Sequence, residues 1–457
     1  MPEKYFSRRT FIKNSSLAGM GIGLATGITP DPISDFAKKA NIPAVLGGQP
    51  VRTKDWPDWP IWDSTTDQEL VINVLQSGKW TRGDVVAEFE NKWALTVGAK
   101  RCLAVVNGTN ALIASLSQYG IGAGDEVIIH PYTFISTIIC VLQNGAMPVF
   151  VDTDPETFQI DAWKIEEKIT SKTRAIIPAH TLGMPADIEK IMQIAKKHNL
   201  LVIENACLSW LAEVNHKRIG TFGNAGCFSF QTSKNIPIGE GGAIVSDDEE
   251  FMDRCYSYHN YGNPYGTVVR PENTDGGTVI NGTKLRITEY QAAIGLAQLK
   301  RLGRQTEVRN LNTSYLKDRV KDIPGIVPMK LSRNVTRISA WMFPFRYKKE
   351  AFNGLSREAF MKALRAEGIP CLAGYVTQND KPYLKNTFES KNYRRMYSKK
   401  ELDFDKYLER NQCPENDLLC QESVWFLQNM LLGSQADMDD IVTAIEKIYN
   451  NSASIKQ

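Results

Sequence analysis

Between residues 100 and 250 the chain alternates short apolar segments with segments whose apolar residues recur at helical spacing. The apolar segments are rich in Val and Ile without polar alternation, which is typical of strands buried on both faces of a sheet. We predict strands at Arg101–Val106, Glu126–Ile129, Met147–Val151, Thr173–Pro178, Leu200–Ile203, Gly226–Phe230 and Gly242–Ser246. We predict helices between them at Asn110–Tyr119, Phe134–Asn144, Ala162–Ile169 and Ala186–His198. This alternation predicts an α/β fold with a mostly parallel sheet and helices on both sides.

The second half of the chain predicts a smaller α+β domain. A long helix is predicted from Thr288 to about Arg301, and a last helix at Met438–Tyr449. We place the large domain at residues 41–300 and the small C-terminal domain at residues 301–457. The stretch Gln378–Gln412 is polar, charged and rich in tyrosine, so we predict a surface insertion near the entrance of the functional site.

Composition and charge exclude some classes of function. Hydrophobic residues make up 42% and charged residues 23% of the 457 positions, which is ordinary for a globular protein of two domains. The formal net charge of +3 gives no indication of a nucleic-acid partner. We expect no membrane contact beyond the N-terminal segment, because no apolar run of about 18 residues follows it. No Cys/His spacing indicates a zinc site, and we expect no metal.

The first 40 residues have the pattern of an export signal. Arg8 and Arg9 precede a mildly apolar, glycine-rich run from Leu17 to Ile28. A twin arginine before a weak hydrophobic region resembles a Tat signal peptide, and the alternative is an unstructured basic N-terminus. We therefore predict a Tat-type signal and linker over residues 1–40, cleaved or kept as an anchor, and a periplasmic or exported protein.

The cysteines fit an oxidising compartment only loosely. Cysteines in apolar segments are interpreted as small core residues; these are Cys102, Cys140, Cys207, Cys227 and Cys255. Cys413 and Cys420 lie close together in polar surroundings, where a disulfide is one option. Their spacing alone does not decide whether they pair.

Candidate chemistry lies just after the predicted strands, where parallel sheets bind ligands. Asn107–Asn110 follows a strand and opens a helix, so its free N–H groups and the helix dipole favour a phosphate, although an ordinary capped turn has the same pattern. Pro131–Phe134 follows the next strand, and an aromatic residue there can stack on a flat ring or fill the core. Leu201–Ala206 ends a buried strand with polar residues that can face a cofactor.

A lysine completes the set of candidates. Lys234 lies between a buried strand and the glycine-rich Gly239–Gly242. A desolvated lysine there can form a Schiff base, whereas on this segment alone a solvated loop lysine is the simpler alternative. Gly282–Arg286 offers cations to a phosphate or serves only as the entry to the long helix.

The order of these segments is more specific than any one of them. Residues 56–450 resemble the DegT/StrS-type sugar aminotransferases, a family of fold-type I pyridoxal-phosphate (PLP) enzymes. The matching motifs are Ser77–Gly83, Gly124–Ile128, Val149–Asp154, Pro178–Thr181, Gly220–Gly223, Phe228–Phe230 and Gly239–Gly242. The resemblance implies the fold-type I architecture with a seven-stranded sheet, PLP as cofactor, and transfer of an amino group from an amino acid to a keto-sugar or cyclitol-like substrate.

The resemblance also implies roles for single residues around the cofactor. Lys234 matches the lysine that forms the Schiff base with PLP and later moves a proton. Thr109 and the backbone at Asn110 match the cradle of the cofactor phosphate, and Ser229 matches a hydroxyl on the same phosphate. Phe134 matches the aromatic residue on the face of the cofactor.

The family is dimeric, and each site is completed by the partner chain. Lys284 stands where the family commonly has an asparagine that reaches a phosphate across the dimer, and a cation suits that phosphate as well. His180 and Trp80 are candidates for substrate contact, although a lone histidine is more often structural. Because Lys234 is present, the chain differs from the related dehydratase branch, in which a histidine takes that position.

Two positions depart from the family pattern. Asn205 stands where the family has an acidic residue that keeps the pyridine nitrogen protonated, and Leu208 stands where glutamine or histidine usually lies near the ring hydroxyl. A neutral amide weakens the electron sink of the ring, because it cannot stabilise a pyridinium by charge. The alternatives to transamination are therefore elimination or isomerisation on PLP, and a catalytically weak carbohydrate-binding relative.

Overall fold

The structure is a computed structural model that describes residues 41–266 and 277–456. The predicted export signal at residues 1–40 lies outside the described residues. In chain order, the strands of the described part are β1 (Arg101–Val105), β2 (Glu126–Ile129), β3 (Met147–Phe150), β4 (Thr153–Asp154), β5 (Gln159–Ile160), β6 (Thr173–Ile176), β7 (Leu201–Asn205), β8 (Glu213–Val214), β9 (Lys217–Arg218), β10 (Ala225–Ser229), β11 (Gly242–Ser246), β12 (Ile326–Pro328), β13 (Val335–Arg337), β14 (Met342–Tyr347), β15 (Leu372–Ala373) and β16 (Ser423–Leu427).

The α-helices of the same residues are α1 (Gln68–Ser77), α2 (Asp84–Val97), α3 (Gly108–Gln118), α4 (Ser136–Gln143), α5 (Ile188–His198), α6 (Glu249–His259), α7 (Glu289–Val320), α8 (Arg357–Ala366), α9 (Pro382–Phe388), α10 (Tyr393–Met396), α11 (Phe404–Arg410), α12 (Pro414–Glu422), α13 (Gln435–Asn450) and α14 (Ser452–Ile455). Short 3-10 helices lie at Ala44–Leu46, Ala162–Lys164, Glu166–Lys168, Thr181–Gly183, Lys349–Phe352 and Met430–Leu432. None of the described helices is both long and apolar enough to cross a membrane.

A seven-stranded sheet forms the centre of the N-terminal part, in the order β1-β11-β10-β7-β6-β2-β3. The strands from β10 to β3 run parallel, and β11 is antiparallel to both of its neighbours. Every residue of β2, β3, β10 and β11 is buried, as expected for a sheet covered by helices on both faces. The predicted mostly parallel seven-stranded sheet and the α/β class are confirmed, with strand bounds that differ by at most two residues.

The predicted helix at Ala162–Ile169 is wrong. This segment forms two 3-10 helices, Ala162–Lys164 and Glu166–Lys168. The Asp161 side chain accepts a hydrogen bond from the N–H of Trp163, and Ile169 is already extended. The segment between these two points has room for only one or two turns of α-helix, which are too few to be stable on their own, and it forms two short 3-10 turns instead.

Helix α7 is much longer than the prediction from Thr288 to about Arg301, since it continues to Val320. Its start is confirmed by a capping box between Thr288 and Gln291. Between residues 305 and 313 all of its buried side chains are polar, so the apolar period that predicts a helix is interrupted there. These side chains find partners near the C-terminus: Asn312 Nδ2 donates to the carbonyls of Leu431 and Gly433. The helix passes through position 300, and the domain boundary placed there stays a prediction.

The C-terminal part contains an antiparallel sheet in the order β12-β14-β16-β15. Helices α8 and α13 pack against each other beside it, and α13 contacts α7. The predicted last helix, Met438–Tyr449, lies inside α13, which begins with a capping box between Ser434 and Asp437. A mixed set of helices and antiparallel strands therefore follows the parallel sheet.

The tyrosine-rich segment Gln378–Gln412 covers the edge of the large sheet. Tyr393 Oη donates to the carbonyls of Leu142 and Ala146, and Tyr407 Oη donates to the carbonyl of Pro148. The Asn411 side chain accepts the N–H of Phe150, in the edge strand β3. None of its residues lines the cavity described below, and its position relative to the site entrance stays a prediction. Tyr407 and Asn411 pair with backbone groups of the edge strand β3, and Tyr393 pairs with carbonyls just before that strand.

The disulfide considered for Cys413 and Cys420 is not formed, and both thiols are free and buried. Cys413 caps the N-terminus of α12 and Cys420 lies near its end. Seven residues of helix separate their Cα atoms by about 10 Å, well beyond the roughly 4.4–6.8 Å that a disulfide spans. Of the cysteines predicted in the core, Cys140, Cys227 and Cys255 are buried, whereas Cys102 and Cys207 are half-buried.

Candidate active site

A cavity of about 440 Å³ lies at the carboxyl ends of the central strands. Its walls come from the segments that follow β1, β2, β6, β7 and β10, with additional side chains from the C-terminal half. Of the predicted site residues, it is lined by Thr109, Phe134, His180, Asn205, Leu208, Ser229 and Lys234. The volume is in the range of pockets that hold small molecules and cofactors.

The N-terminus of α3 forms an anion cradle on one wall. The N–H groups of Gly108 and Thr109 have no protein acceptor within the described residues, and they are the first N–H groups of the helix. A Cβ atom at Gly108 would lie 2.5 Å from the Cys207 sulfur and 3.0 Å from the Ser229 Cβ, so glycine is needed for this close approach. Free N–H groups at a helix N-terminus beside a serine hydroxyl suit a phosphate.

Asn110 is hydrogen-bonded to the residue that caps the helix. Its N–H and its side-chain amide both donate to the Asn107 Oδ1. Asn110 does not line the cavity, and its contact with a phosphate stays a prediction. The backbone donors without a protein acceptor at this helix start are those of Gly108 and Thr109.

Lys234 is half-buried, and its Nζ lies 4.5 Å from the centre of the Trp341 ring. Burial lowers the pKa of Lys234 to about 8, while the Cys207 thiol and the Glu240 carboxylate oppose that shift. Burial has this direction because it penalises the charged form of an amine. A larger share of this amine is therefore neutral near pH 7 than for an exposed lysine, and a neutral amine is the nucleophile that attacks an aldehyde.

Asn205 lies at the end of β7 with its amide held in one orientation. Its Nδ2 donates to the Thr137 Oγ1 at 2.8 Å, and its Oδ1 accepts the N–H of Cys207 at 3.2 Å. Exchanging oxygen and nitrogen would bring two donors together at Cys207, so the hydrogen bonds fix the assignment. The polar end of β7 thus presents a neutral amide to the cavity, and Leu208 adds a side chain that cannot hydrogen-bond.

Phe134 is 57% exposed although it lines the cavity. An apolar ring in this position offers a flat face to a bound ring.

His180 is fully buried and uses both ring nitrogens. Its Nδ1 accepts the N–H of Ala186, so its Nε2 carries the proton that faces the Glu204 carboxylate at 3.2 Å. Glu204 in turn accepts N–H groups from Gly220, Phe222 and Gly223. His180 is among the residues that line the cavity, but both of its ring nitrogens are engaged within the protein.

Trp80 and Lys284 do not line the cavity of their own chain. The Trp80 Nε1 donates to the carbonyl of Leu75, and its ring is 52% exposed. Lys284 is exposed and pairs with Asn260 through an isolated β-bridge. Contact of these residues with substrate or phosphate stays a prediction that depends on a second chain.

Several lining residues have no counterpart among the predicted ones. The two that lie furthest from Lys234 in sequence, apart from Asn107 to Ser136, are Trp341 and Tyr375 of the C-terminal half. The Tyr375 hydroxyl has no hydrogen-bond partner among the described residues. No local pattern marks either residue, because their position depends on packing between segments more than 100 residues apart. Glu240 also lines the cavity, and it lies in the glycine-rich motif already noted. The other new lining residues include Thr133, Ser136, Thr181, Gln231 and Ser233.

The cavity fits the cofactor that the resemblance implies. PLP combines a phosphate, a flat ring and an aldehyde. Three features line one cavity: the cradle at Gly108 and Thr109, the exposed face of Phe134 and the half-buried amine of Lys234. They suit the phosphate, the ring and the aldehyde in that order.

Comparisons with known proteins agree with this arrangement. Residues 63–401 match the model of the DegT/DnrJ/EryC1/StrS aminotransferase family. The chain is 31% identical over 423 residues to an L-glutamine:2-deoxy-scyllo-inosose aminotransferase of Streptomyces kanamyceticus, covering 90% of this chain and 97% of the relative. It is 38% identical over 310 residues to a dTDP-3-amino-3,6-dideoxy-alpha-D-galactopyranose transaminase of Aneurinibacillus thermoaerophilus, covering 67% and 80% of the two chains.

Among solved structures, 3-amino-5-hydroxybenzoic acid synthase superposes with a TM-score of 0.75 at 28% identity, covering 87% of this chain and 99% of that one. The family model covers about three quarters of the sequence, and the fold agrees over nearly the whole described length. The chain belongs to the DegT/DnrJ/EryC1/StrS aminotransferase family, and it is a PLP-dependent aminotransferase.

Proposed function

We propose that this enzyme moves the amino group of L-glutamine, or of a similar amino acid, to the keto group of a cyclitol or a keto-sugar. The proposal rests on one observation: the anion cradle at Thr109, the half-buried amine of Lys234 and several uncharged polar side chains line the same cavity. The bound cofactor supplies the electron sink that lets a Cα–H bond break. The chain's own residues supply attachment, orientation and proton transfer.

Each part of the site has a task in this proposal. The Gly108 and Thr109 N–H groups and the Ser229 hydroxyl would hold the phosphate. Phe134 would hold the ring by its face. The Lys234 amine would attach the cofactor and, when free of it, would carry the proton between the substrate Cα and the cofactor. Its pKa of about 8 suits both tasks, because the amine can be neutral or charged near physiological pH.

The nature of the walls supports a polyhydroxylated acceptor. Hydroxyl and amide side chains dominate the polar lining, among them Ser136, Gln231, Ser233 and Tyr375. Such groups pair with the hydroxyls of a sugar or cyclitol without a charge on the substrate. The relative from S. kanamyceticus is named for a cyclitol ketone and glutamine, which favours this pair. The nucleotide-linked sugar in the name of the A. thermoaerophilus relative is the alternative acceptor.

The test follows both halves of the reaction in the purified, PLP-loaded full chain. Addition of L-glutamine should remove the absorbance of the lysine-bound cofactor, and 2-deoxy-scyllo-inosose or scyllo-inosose should restore it. Recovery only with a dTDP-linked keto-sugar would contradict the cyclitol acceptor and leave the aminotransferase assignment intact. If no amino donor changes the spectrum, the alternatives of elimination, isomerisation or carbohydrate binding gain support.

We also propose a homodimer with shared active sites. Three aromatic residues in or near the segments that form the site in sequence are exposed: Trp80 is 52%, Phe134 57% and Tyr265 58% exposed. An exposed Lys284 outside its own cavity suits a phosphate in the site of a second chain. These features support a partner chain over this surface.

Mixed dimers test the sharing of sites. Lys234→Ala and Lys284→Ala proteins are prepared separately, mixed and re-equilibrated. If Lys284 serves the partner's site, one of the two active sites in each mixed dimer contains both lysines. The activity of the mixture should then rise above that of either parent. Unchanged activity on mixing, with dimers present by sedimentation, would contradict the shared site.

We propose further that the protein is exported by the Tat route. The twin arginine at Arg8 and Arg9 before a weakly apolar run supports this. A folded protein with its cofactor in place suits a route that carries folded chains. In cell fractionation the native chain should leave the cytoplasm, and the double variant Arg8→Lys, Arg9→Lys should stay there. Export of both proteins to the same extent would contradict the Tat route, and retention of both in the cytoplasm would contradict export.

A further inference from the structure

Two segments that are far apart in sequence clasp each other beside Lys234. The Ser339 N–H donates to the carbonyl of Gly183 at 2.8 Å, and the Trp341 N–H donates to the carbonyl of Leu182 at 3.0 Å. The first segment is the short turn Thr181–Gly183 that follows β6 and His180. The second leads into β14. We call these two hydrogen-bonded segments, Thr181–Gly183 and Ser339–Trp341, the clasp.

The clasp holds its backbone in a conformation that ordinary residues avoid. Leu182 has φ of 61° and Ala340 has φ of 37°, and neither is a glycine. Residues with side chains rarely occupy this left-handed region, and they stay there only where their surroundings enforce it. Gly183 adds a steric condition, since a Cβ there would lie 2.5 Å from the Trp341 nitrogen. Such strain tends to cluster at functional sites.

A second pair of hydrogen bonds ties the clasp to both sides of Lys234. The Trp341 Nε1 donates to the carbonyl of Ser233 at 3.0 Å. The Asn235 Nδ2 donates to the carbonyl of Ser339 at 2.6 Å. Because the residues before and after Lys234 are both fixed to the clasp, the indole face has a defined place against the lysine, with Nζ 4.5 Å from the ring centre.

We propose that Trp341 is the positioning residue of Lys234: the clasp holds the indole face against the ε-amine, so that the amine keeps its place whenever it is free of the cofactor. The face of an indole attracts an ammonium group, so Trp341 favours the protonated amine where burial alone opposes it. A base that must take up a proton and return it needs such a place to hold the charged form. The proposal rests on the assignment of Lys234 to the cofactor.

The first measurement does not depend on the activity of the loaded enzyme. In the full chain stripped of PLP, the rate at which Lys234 reacts with an amine-acylating reagent is measured against pH by peptide mass spectrometry. Trp341→Leu should lower the midpoint of that profile by about one pH unit, because the contact that favours the ammonium is lost. Trp341→Phe keeps an aromatic face and should lower it by less than half as much.

The second measurement uses the loaded enzyme. For Trp341→Leu we expect kcat to fall about tenfold while KM for the amino donor stays within twofold, since substrate binding is retained and proton transfer is slowed. Trp341→Phe should recover most of kcat. If the leucine variant does not fold, Trp341→Met, which fills the space without a ring, takes its place.

Trp163 provides the matched control. It is 67% exposed, and it carries a comparable contact, with Lys190 Nζ 4.4 Å from its ring centre. Trp163→Leu should leave the Lys234 profile and kcat unchanged. The proposal is overturned if Trp341→Leu leaves the midpoint unchanged, or if the phenylalanine and leucine variants behave alike. Failure of every variant and of the native chain to bind PLP would instead count against the proposed function, because the labelling profile does not require the cofactor.

Discussion

The replacement Asn205→Asp introduces the acidic residue that the family resemblance implies for a partner of the pyridine nitrogen, and the hydrogen bonds around Asn205 would accept the new carboxylate. Its Oδ1 would keep the hydrogen bond from the Cys207 N–H. Its second oxygen would face the Thr137 hydroxyl, which lies 2.8 Å from the present Asn205 Nδ2. Thr137 can turn its proton towards the carboxylate, because the Thr133 hydroxyl is 2.8 Å away and can donate to it in return. Both oxygens would therefore have donors.

The size of the effect follows from the charge. An opposite charge at contact distance shifts a pKa by roughly 1–3 units, and each unit is worth about 1.4 kcal/mol. The carboxylate should therefore favour the protonated ring by about 1.4–4 kcal/mol relative to the neutral amide. If at least about 1.4 kcal/mol of this free energy stabilises the transition state of proton removal, the half-reaction with L-glutamine should become at least tenfold faster.

The assay is the rate at which stopped-flow absorbance of the lysine-bound cofactor decays after L-glutamine is added. The Asn205→Ala variant is the control, because it removes the amide without adding charge and should be no faster than the native chain. A rate in Asn205→Asp that equals the native rate, with equal PLP content and no other activity lost, would refute the electrostatic role given to Asn205.

Three further outcomes are expected. The rate at which PLP loads onto stripped protein should rise with pH up to about 8 and then level off, because burial lowers the Lys234 pKa to about 8 and only the neutral amine reacts; a rise that continues towards pH 10 would contradict this. Gly108→Ala should weaken PLP binding at least tenfold, because its Cβ would lie 2.5 Å from the Cys207 sulfur. Gly303→Ala on α7 is the control, because its Cβ would have no neighbour within 4 Å. It should leave the Kd for PLP unchanged and stabilise the fold by about 0.5–1 kcal/mol. Asn411→Ala should lower the free energy of unfolding by about 1–3 kcal/mol in denaturant titration, since the buried Phe150 N–H loses its acceptor, while the spectrum of the loaded enzyme stays unchanged.

The central sheet could be predicted from local pattern because its strands are short, rich in apolar residues and mostly separated by helices. For example, β2 is buried at every position and matches its predicted bounds. The second half of α7 could not be predicted in this way. Its buried face includes Arg309, whose Nη2 hydrogen-bonds to the Gln428 side chain, about 120 residues further on. A buried polar residue whose hydrogen-bond partner is so distant in sequence has no signature in its own segment.

The same reasoning divides the candidate site. Lys234, Thr109 and Ser229 follow strands of the parallel sheet, so topology and motif order predicted that they would lie together. Trp341 and Tyr375 come from the C-terminal half, and only the packing of that half against the sheet brings them to the cavity. The contacts of the tyrosine-rich segment with the edge of the sheet could not be predicted for a similar reason, because its pattern indicates a surface segment without indicating which surface it covers.

Borohydride trapping of the native, PLP-loaded chain, followed by peptide mass spectrometry, tests the attachment of the cofactor most directly. The reduced cofactor should be found on the peptide that contains Lys234, and the absorbance of the lysine-bound cofactor should disappear on reduction. Lys234→Ala should retain neither the label nor that absorbance. A label on another lysine, or a native chain that carries no label after incubation with PLP, would contradict the assignment of Lys234 and the function built on it.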